Sequence, residues 1–248
     1  CIDLSPDGNR LVSIGDDGMI RMWAMPDGRE LLAFHASKEA VNAVRFALAG
    51  SVLVSCAAEP DVRVWDSTSG RLITILSTDA IESKELAVSA DGRFCVASDD
   101  ERMYRMWDLK THTKVLEGTA AAPFRCLEFS ADGTTFVGGM QNKFIDVRRA
   151  QDQGGELISS FEGSADHIED IAFHPANEVM VSGDRAGVIR TWNLNQTDGP
   201  GDTRNSTALP PVFRGHSSRI WDVDYSTDGD RIVTAGNDGS IRVWTTGA

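Results

Sequence analysis

Hydrophobic and polar positions along this chain alternate in short blocks. Near the end, Ile220–Tyr225 runs largely apolar and Ser226-Thr227-Asp228-Gly229 interrupts it. Arg231-Ile232-Val233-Thr234-Ala235-Gly236 follows, then Asn237-Asp238-Gly239, then Ser240-Ile241-Arg242-Val243-Trp244. Runs of this length, rich in β-branched and aromatic residues and bounded by Gly, Asn, Asp and Ser, predict strands. Asn-Asp-Gly predicts a tight hairpin turn whose glycine supplies the positive φ. A further short strand precedes each set, as in Pro211-Val212-Phe213 and, one copy earlier, in residues 156–161. The apolar/polar alternation is blurred, which fits a sheet covered on both faces.

The block pattern is a repeat. Ser-x-Asp-Gly turns stand at Ser5-Pro6-Asp7-Gly8, Ser89-Ala90-Asp91-Gly92, Ser130-Ala131-Asp132-Gly133 and Ser226-Thr227-Asp228-Gly229. Degenerate versions stand at Ala47-Leu48-Ala49-Gly50 and His174-Pro175-Ala176-Asn177. From the last residue of each turn, the fifteenth position onward is Trp23, Trp65, Trp107, Trp192 and Trp244, with Arg148 in the fourth copy. Successive turns lie 41 to 52 residues apart, and all of that variation falls between a tryptophan and the next turn. Four short antiparallel strands at this period predict an all-β fold, a β-propeller of six four-stranded blades. The repeats cover approximately residues 1–29, 30–70, 71–112, 113–155, 156–210 and 211–248, read as a single domain over 1–248.

In this pattern Gly215-His216, Asp228-Gly229, Asn237-Asp238-Gly239 and Ile241-Arg242-Val243-Trp244 resemble the WD-repeat family. The resemblance implies a buried hydrogen-bonded tetrad within a blade, here His216, Thr234, Asp238 and Trp244. Burying an Asp requires donors around it, and a buried indole N–H requires an acceptor. The other copies depart from it. The first has Ser13, Asp17 and Trp23; the second has Ser37, Ser55, Glu59 and Trp65. The third retains only Trp107, with Ala97 and Glu101 in the frame; the fourth has Gly138, Asn142 and Arg148. The fifth has Ser164, Ser182, Ala186 and Trp192.

Labelled a to d from the propeller axis outward, the strands begin inside strand a at Cys1-Ile2-Asp3-Leu4 and end after strand c at Trp244. The last blade is therefore expected to lack its outer strand, as a fragment of a six-bladed or larger ring. The first residue is Cys rather than Met, so the N-terminus is expected upstream. Residues 195–210, rich in Gly, Thr, Asp, Asn and Pro, predict a mobile surface loop. That loop holds two glycosylation sequons, Asn195-Gln196-Thr197 and Asn205-Ser206-Thr207.

Composition narrows the function classes. With 24 Lys plus Arg against 37 Asp plus Glu, the net charge of −13 opposes nucleic-acid backbones and anionic membranes. No run approaches the roughly 20 apolar residues of a membrane-spanning helix. Cys1, Cys56, Cys95 and Cys126 form no metal-ligand spacing. Each falls in a predicted strand as a small buried hydrophobe, which favours a reducing, cytoplasmic setting. Asp166-His167-Ile168-Glu169-Asp170 with His174 resembles a metal site, but strand a separates the two histidines by roughly 20 Å at about 3.3 Å per residue. Asp99-Asp100-Glu101 reads as a solvated hairpin turn. No catalytic constellation, metal site or cofactor site is expected.

Surface remains. The top of a propeller is built from d–a loops, the starts of the a strands and b–c turns, and in the WD-repeat family these positions often contact partners. They include Trp221, Arg219, Arg185, Arg125, His167 and Lys84. Trp221 is the one tryptophan outside the fixed frame, with Arg219 beside it, and Trp and Arg are enriched at binding hot spots. Its alternative role is packing against a neighbouring d–a loop. The expected function is a protein–protein interaction scaffold, a module of a longer protein, binding other proteins or peptides. The alternative is a sensory or ligand-binding propeller fused to a signalling or catalytic domain.

Overall fold

The computed structural model describes residues 1–77, 82–150, 155–162, 164–176, 179–194 and 209–246. The fold is all-β, six antiparallel sheets that are blades of a β-propeller, in two compact units, Cys1–Pro123 and Phe124–Ala248. In the first unit, blade 1 is β1 (Ile2–Leu4), β2 (Arg10–Ile14), β3 (Met19–Ala24) and β4 (Glu30–His35). Blade 2 is β5 (Val41–Ala47), β6 (Val52–Ala57), β7 (Glu59–Asp66) and β8 (Leu72–Ser77). Blade 3 is β9 (Ser83–Val88), β10 (Phe94–Asp99), β11 (Met103–Asp108) and β12 (Thr113–Thr119).

In the second unit, blade 4 is β13 (Phe124–Phe129), β14 (Thr135–Met140), β15 (Phe144–Arg149) and β16 (Leu157–Glu162). Blade 5 is β17 (Ile168–Phe173), β18 (Val179–Asp184), β19 (Val188–Asn193) and β20 (Leu209–Arg214). Blade 6 is β21 (Ile220–Tyr225), β22 (Arg231–Gly236) and β23 (Ile241–Thr245), three strands among the described residues. Each sheet runs in sequence order with neighbours paired antiparallel. Among the described residues, five outer strands therefore serve six blades.

The constant frame has a local cause. In the first Ser-x-Asp-Gly turn, Ser5 Oγ donates to Asp7 Oδ1 at 2.6 Å and accepts the Arg10 amide at 2.9 Å. Asp7 also accepts the Asn9 amide, and Gly8 closes the turn at φ +70. The same bonds recur at Ser89/Asp91, Ser130/Asp132 and Ser226/Asp228. The turn is fixed by its own side chains, so strands a, b and c keep one register while the c–d and d–a connections vary.

Side chains of strands b and c on one blade pack under strand a, strand b and the framed tryptophan of the next. In the first unit, Val12, Ile20 and Met22 pack with Val44, Leu53 and Trp65. In the second, Val137, Ile145 and Val147 pack with Ile171, Met180 and Trp192.

Three expectations change. Cys1 lies just outside β1 and is exposed, its thiol beside Arg45; Cys56, Cys95 and Cys126 are buried. Burial pushes the Cys95 thiol up to about 12, so it stays an unreactive thiol. Leu209 and Pro210, assigned to the loop, open β20, while 195–208 with both sequons lie outside the described residues, as does Asn177. Asp99 is not a solvated turn residue: it ends β10 and is 4% exposed.

Candidate interaction site

The four tetrad residues meet in blade 6. Trp244 Nε1–H donates to Thr234 Oγ1 at 2.9 Å, and Thr234 Oγ1 lies 2.7 Å from His216 Nε2. His216 Nδ1 lies 3.1 Å from both oxygens of Asp238. A hydroxyl that accepts from the indole has its proton free for Nε2, so the chain closes with the Nδ1–H tautomer of His216 donating to Asp238. Asp238 also accepts from Ser240 Oγ and from the Ser217 and Ser240 amides. The Ser240 hydroxyl first, then the Ser217 amide and His216, hold its carboxyl well below the usual carboxylate range. The network ties the loop before strand a to the b–c turn. It is a clamp, with no group aimed at a substrate.

Blades 2 and 5 build the same clamp from different residues, and the others keep parts of it. Trp23, Trp65 and Trp192 donate to Ser13, Ser55 and Ser182 at 2.8 to 2.9 Å. In blade 2, Glu59 accepts from Ser37 Oγ and the Lys38 amide and pairs with Arg63. In blade 5 the carboxylate is Asp184, two positions ahead of Ala186. Asp184 accepts from Ser164 Oγ, the amides of Ala165, Ala186 and Val188, and Arg190 at 2.6 Å. In blade 3 Asp99 holds the b–c turn, accepting the Glu101 and Met103 amides and pairing with Arg105. Blade 3 therefore keeps more than Trp107. In blade 4, Arg148 pairs with Asp146, which Ser160 also bonds, and Phe124 fills the space beside Gly138. The signal missed in the sequence is an Arg two positions before the framed tryptophan: Arg21, Arg63, Arg105, Arg190 and Arg242. A buried guanidinium at a fixed position requires a carboxylate within reach.

The top face is set by a recurring β-bulge. Strand a of blades 2 to 6 slips register around Asn42, Lys84, Arg125, Glu169 and Trp221 in turn. The extra residue leaves the ladder and its side chain turns out of the pleat. In the second unit these residues form a linked row. Arg125 Nη2 donates to Glu169 Oε2 at 3.2 Å and Arg219 Nη2 to Glu169 Oε1 at 2.6 Å. The Arg219 guanidinium stacks 3.9 Å from the Trp221 ring centre, and Trp221 Nε1 reaches Asn237 Oδ1 at 3.4 Å. Trp221 nonetheless remains 52% exposed.

Glu169 lies within the apparent metal motif of residues 166–174. Its carboxylate is instead buried between two guanidiniums, so Arg125 and Arg219 are not free cations. Arg185 is exposed on the b–c turn, its amide bonded to the His167 carbonyl; the half-buried His167 ring lies 4.0 Å from Asp166. Lys84, in the first unit, pairs with Glu82 and Asp100 and stands outside this row. His167 and His174 stand at opposite ends of β17, His174 edge-on to Tyr225. Among the described residues no three His, Cys, Asp or Glu side chains converge as metal ligands.

Comparison with known proteins matches the geometry. The family model described as WD domain, G-beta repeat, matches residues 1–24, 28–66, 155–193 and 209–245. Those segments hold the four blades whose tryptophan bonds a Ser or Thr. The chain is 25% identical to serine-threonine kinase receptor-associated protein of Gallus gallus over 98% of this chain and 65% of that protein. It is 27% identical to apoptotic protease-activating factor 1 of Rattus norvegicus over 78% of this chain and 16% of that protein. It is 25% identical to cilia- and flagella-associated protein 52 of Sus scrofa over 98% of this chain and 38% of that protein. The chain thus spans less than two thirds of the length of each. With the matched segments covering more than half of its residues, the chain belongs to the WD-repeat (WD40) family.

Proposed function

We propose that this chain is a protein-interaction scaffold, a module of a longer protein, and that the row ending at Trp221 takes a peptide-like segment of a partner protein. The observation that carries the reading is Trp221, half exposed yet held in place. Its ring is backed by the Arg219 guanidinium, which Glu169 anchors from below. Tryptophan and arginine dominate binding hot spots, and a platform already ordered loses little entropy when a partner lands on it. Arg185 adds an exposed cation nearby on the same face, which suits a segment carrying a carboxylate. The net charge of −13 disfavours a nucleic-acid partner. The chicken relative is named a receptor-associated protein, which is consistent with a binding role.

The test is a double substitution, Trp221→Ala with Arg219→Ala, read by capture of partners from a cell extract. Capture is expected to be lost, and because Arg219→Ala also strips the buried Glu169 carboxylate of its nearer partner, the melting temperature falls; Trp221→Ala alone, at an exposed ring, should lose capture at a nearly constant melting temperature. Undiminished capture by the double variant ends the assignment.

A further inference from the structure

The outer strand of a blade pairs on one side only, so its far edge offers backbone amides and carbonyls to solvent. Strand β8 is outermost in blade 2, in the order β5-β6-β7-β8. Blade 2 packs between blades 1 and 3 of the same unit, and β8 lies far from both ends of the chain. An edge without charge or proline is a template for another strand, and proteins usually guard against it. The other outer strands are guarded: β4 carries Glu30, β12 Lys114 and Glu117, β16 Glu162, and β20 Arg214. Leu72–Ser77, the whole of β8, has neither a charge nor a proline.

The repeat shows where β8 departs. Strands β4, β8, β12 and β16 each slip register by one residue against their neighbour, leaving Leu31, Ile73, Val115 and Ile158 unmatched in turn. The slip belongs to the fold; what flanks it differs. One position before the slip and two after it stand Glu30 and Ala33 in blade 1, and Lys114 and Glu117 in blade 3. Blade 2 has Leu72 and Ile75 there. Leu72, Ile73 and Ile75 are consequently exposed together, at 46%, 45% and 46%. In blade 3 an ion pair from Arg105 reaches Glu117 on the outer strand. The matching Arg63 of blade 2 turns instead to Glu59 and the Ala36 carbonyl, so no charge reaches β8 from below.

The order of the residues says what fits this edge. Leu72-Ile73-Thr74-Ile75-Leu76 reads the same from either end. An antiparallel neighbour runs in the opposite direction, so a second β8 meets each side chain with its own kind. About a two-fold axis at Thr74, Leu72 stands opposite Leu76, Ile73 opposite Ile75, and Thr74 opposite Thr74. Directly opposed β-branched and threonine pairs stabilise a sheet. The strand itself brings no like charges together, although each chain carries −13.

We propose that this chain self-associates through β8. Two copies pair edge to edge, antiparallel, about a two-fold axis at Thr74, and join their second blades into one continuous sheet. The same surface is used on both molecules, so the contact closes at a dimer. This assignment does not rest on the one made for the Trp221 row.

Sedimentation of the intact chain over a concentration series tests it. The wild type is expected to pass from monomer to a species of twice the mass, with nothing larger. Added salt should strengthen the dimer, because it screens the repulsion between two acidic chains. Ile75→Lys, at an exposed position, should stay monomeric with a nearly unchanged melting temperature. Oxidation in a Cys1→Ser background, which removes the exposed thiol, reads the register. Thr74→Cys meets its own copy at the axis and should give a disulfide-linked dimer. Ser77→Cys should not, since six residues at 3.3 Å each separate it from its copy by about 20 Å. A wild type that is monomeric throughout, or that grows beyond a dimer, overturns the proposal. So does a dimer that salt dissolves, that Ile75→Lys leaves intact, or that links through Ser77→Cys in preference to Thr74→Cys. Trp221→Ala should leave sedimentation unchanged, so partner capture and self-association can fail independently.

Discussion

Blades 5 and 6 are neighbours in one unit and solve one problem in opposite ways. Both must tie the loop ahead of strand a to the b–c turn. Blade 6 uses the full His216-Thr234-Asp238-Trp244 tetrad, with Asp238 on the turn itself and Arg242 a distant 3.9 Å away. Blade 5 has Ser164 where the tetrad histidine would stand; it buries Asp184 completely at the end of β18 and meets it with Arg190 at 2.6 Å. Moving the carboxylate two positions back along a strand keeps it on the same face of the sheet. The clamp is therefore defined by where a carboxylate's oxygens arrive, not by which frame position supplies them. The difference between the two blades is depth. Blade 5 places a complete ion pair in the interior, whereas blade 6 keeps its carboxylate at the rim.

Depth predicts the largest effect. Asp184→Ala leaves Arg190 buried without its partner and strips an acceptor from Ser164 and three amides. The expected loss is about 3–5 kcal/mol, read as a drop in the urea midpoint. Asp238→Ala should cost less, because water reaches the turn and can replace the missing acceptor. Equal losses would show that depth does not decide the matter. Hydrogen bonds hold the Asp238 carboxyl below its unfolded value of about 4, so its contribution is complete above that pH and fades only as pH falls through the depressed value.

The blades that the family model leaves unmatched sharpen the contrast. In blade 4, Gly138 occupies the position of the tetrad's serine or threonine, and restoring Ser there looks like a repair. A Cβ on Gly138 would lie 2.1 Å from two ring carbons of Phe124, which has taken that space and is itself 2% exposed. Gly138→Ser is expected to lower stability by about 1–3 kcal/mol, the usual cost of overfilling a packed core. A neutral or stabilising result in thermal unfolding would mean that Phe124 can swing aside.

These cases show what the sequence could carry. The strands, the hairpins, the three-stranded last blade and the tetrad of blade 6 were all legible, because self-locking Ser-x-Asp-Gly turns hold strands a to c in one count. Asp99 and Asp184 were not, since a carboxylate at the end of a strand looks like any turn residue until its guanidinium is placed. Glu169 was hidden for a related reason. Its two arginines come from blades 4 and 6, 44 and 50 residues away, and no local pattern links them. Trp221 stood out in the sequence, but the bulge that turns it outward did not.

The smallest expected effect concerns the backbone. The b–c turns of blades 1, 5 and 6 place Gly18, Gly187 and Gly239 at φ +72 to +78. Blade 3 holds Arg102 at φ +72 in the same position. A side chain there meets its own carbonyl at a cost of roughly 1–2 kcal/mol, whereas glycine carries no such penalty but loses more freedom on folding. Arg102 is exposed, so removing its side chain uncovers no core. Arg102→Gly should therefore raise stability by a net amount of about 0.5–1 kcal/mol, read as a higher unfolding midpoint. The reciprocal change, Gly239→Arg in blade 6, should lower it by a similar amount, because nothing lies within 4 Å of that position to add a clash. If the two substitutions do not oppose each other, the blade 3 turn holds its left-handed residue through contacts of the arginine itself, and the equivalence of the turns across matched and unmatched blades fails.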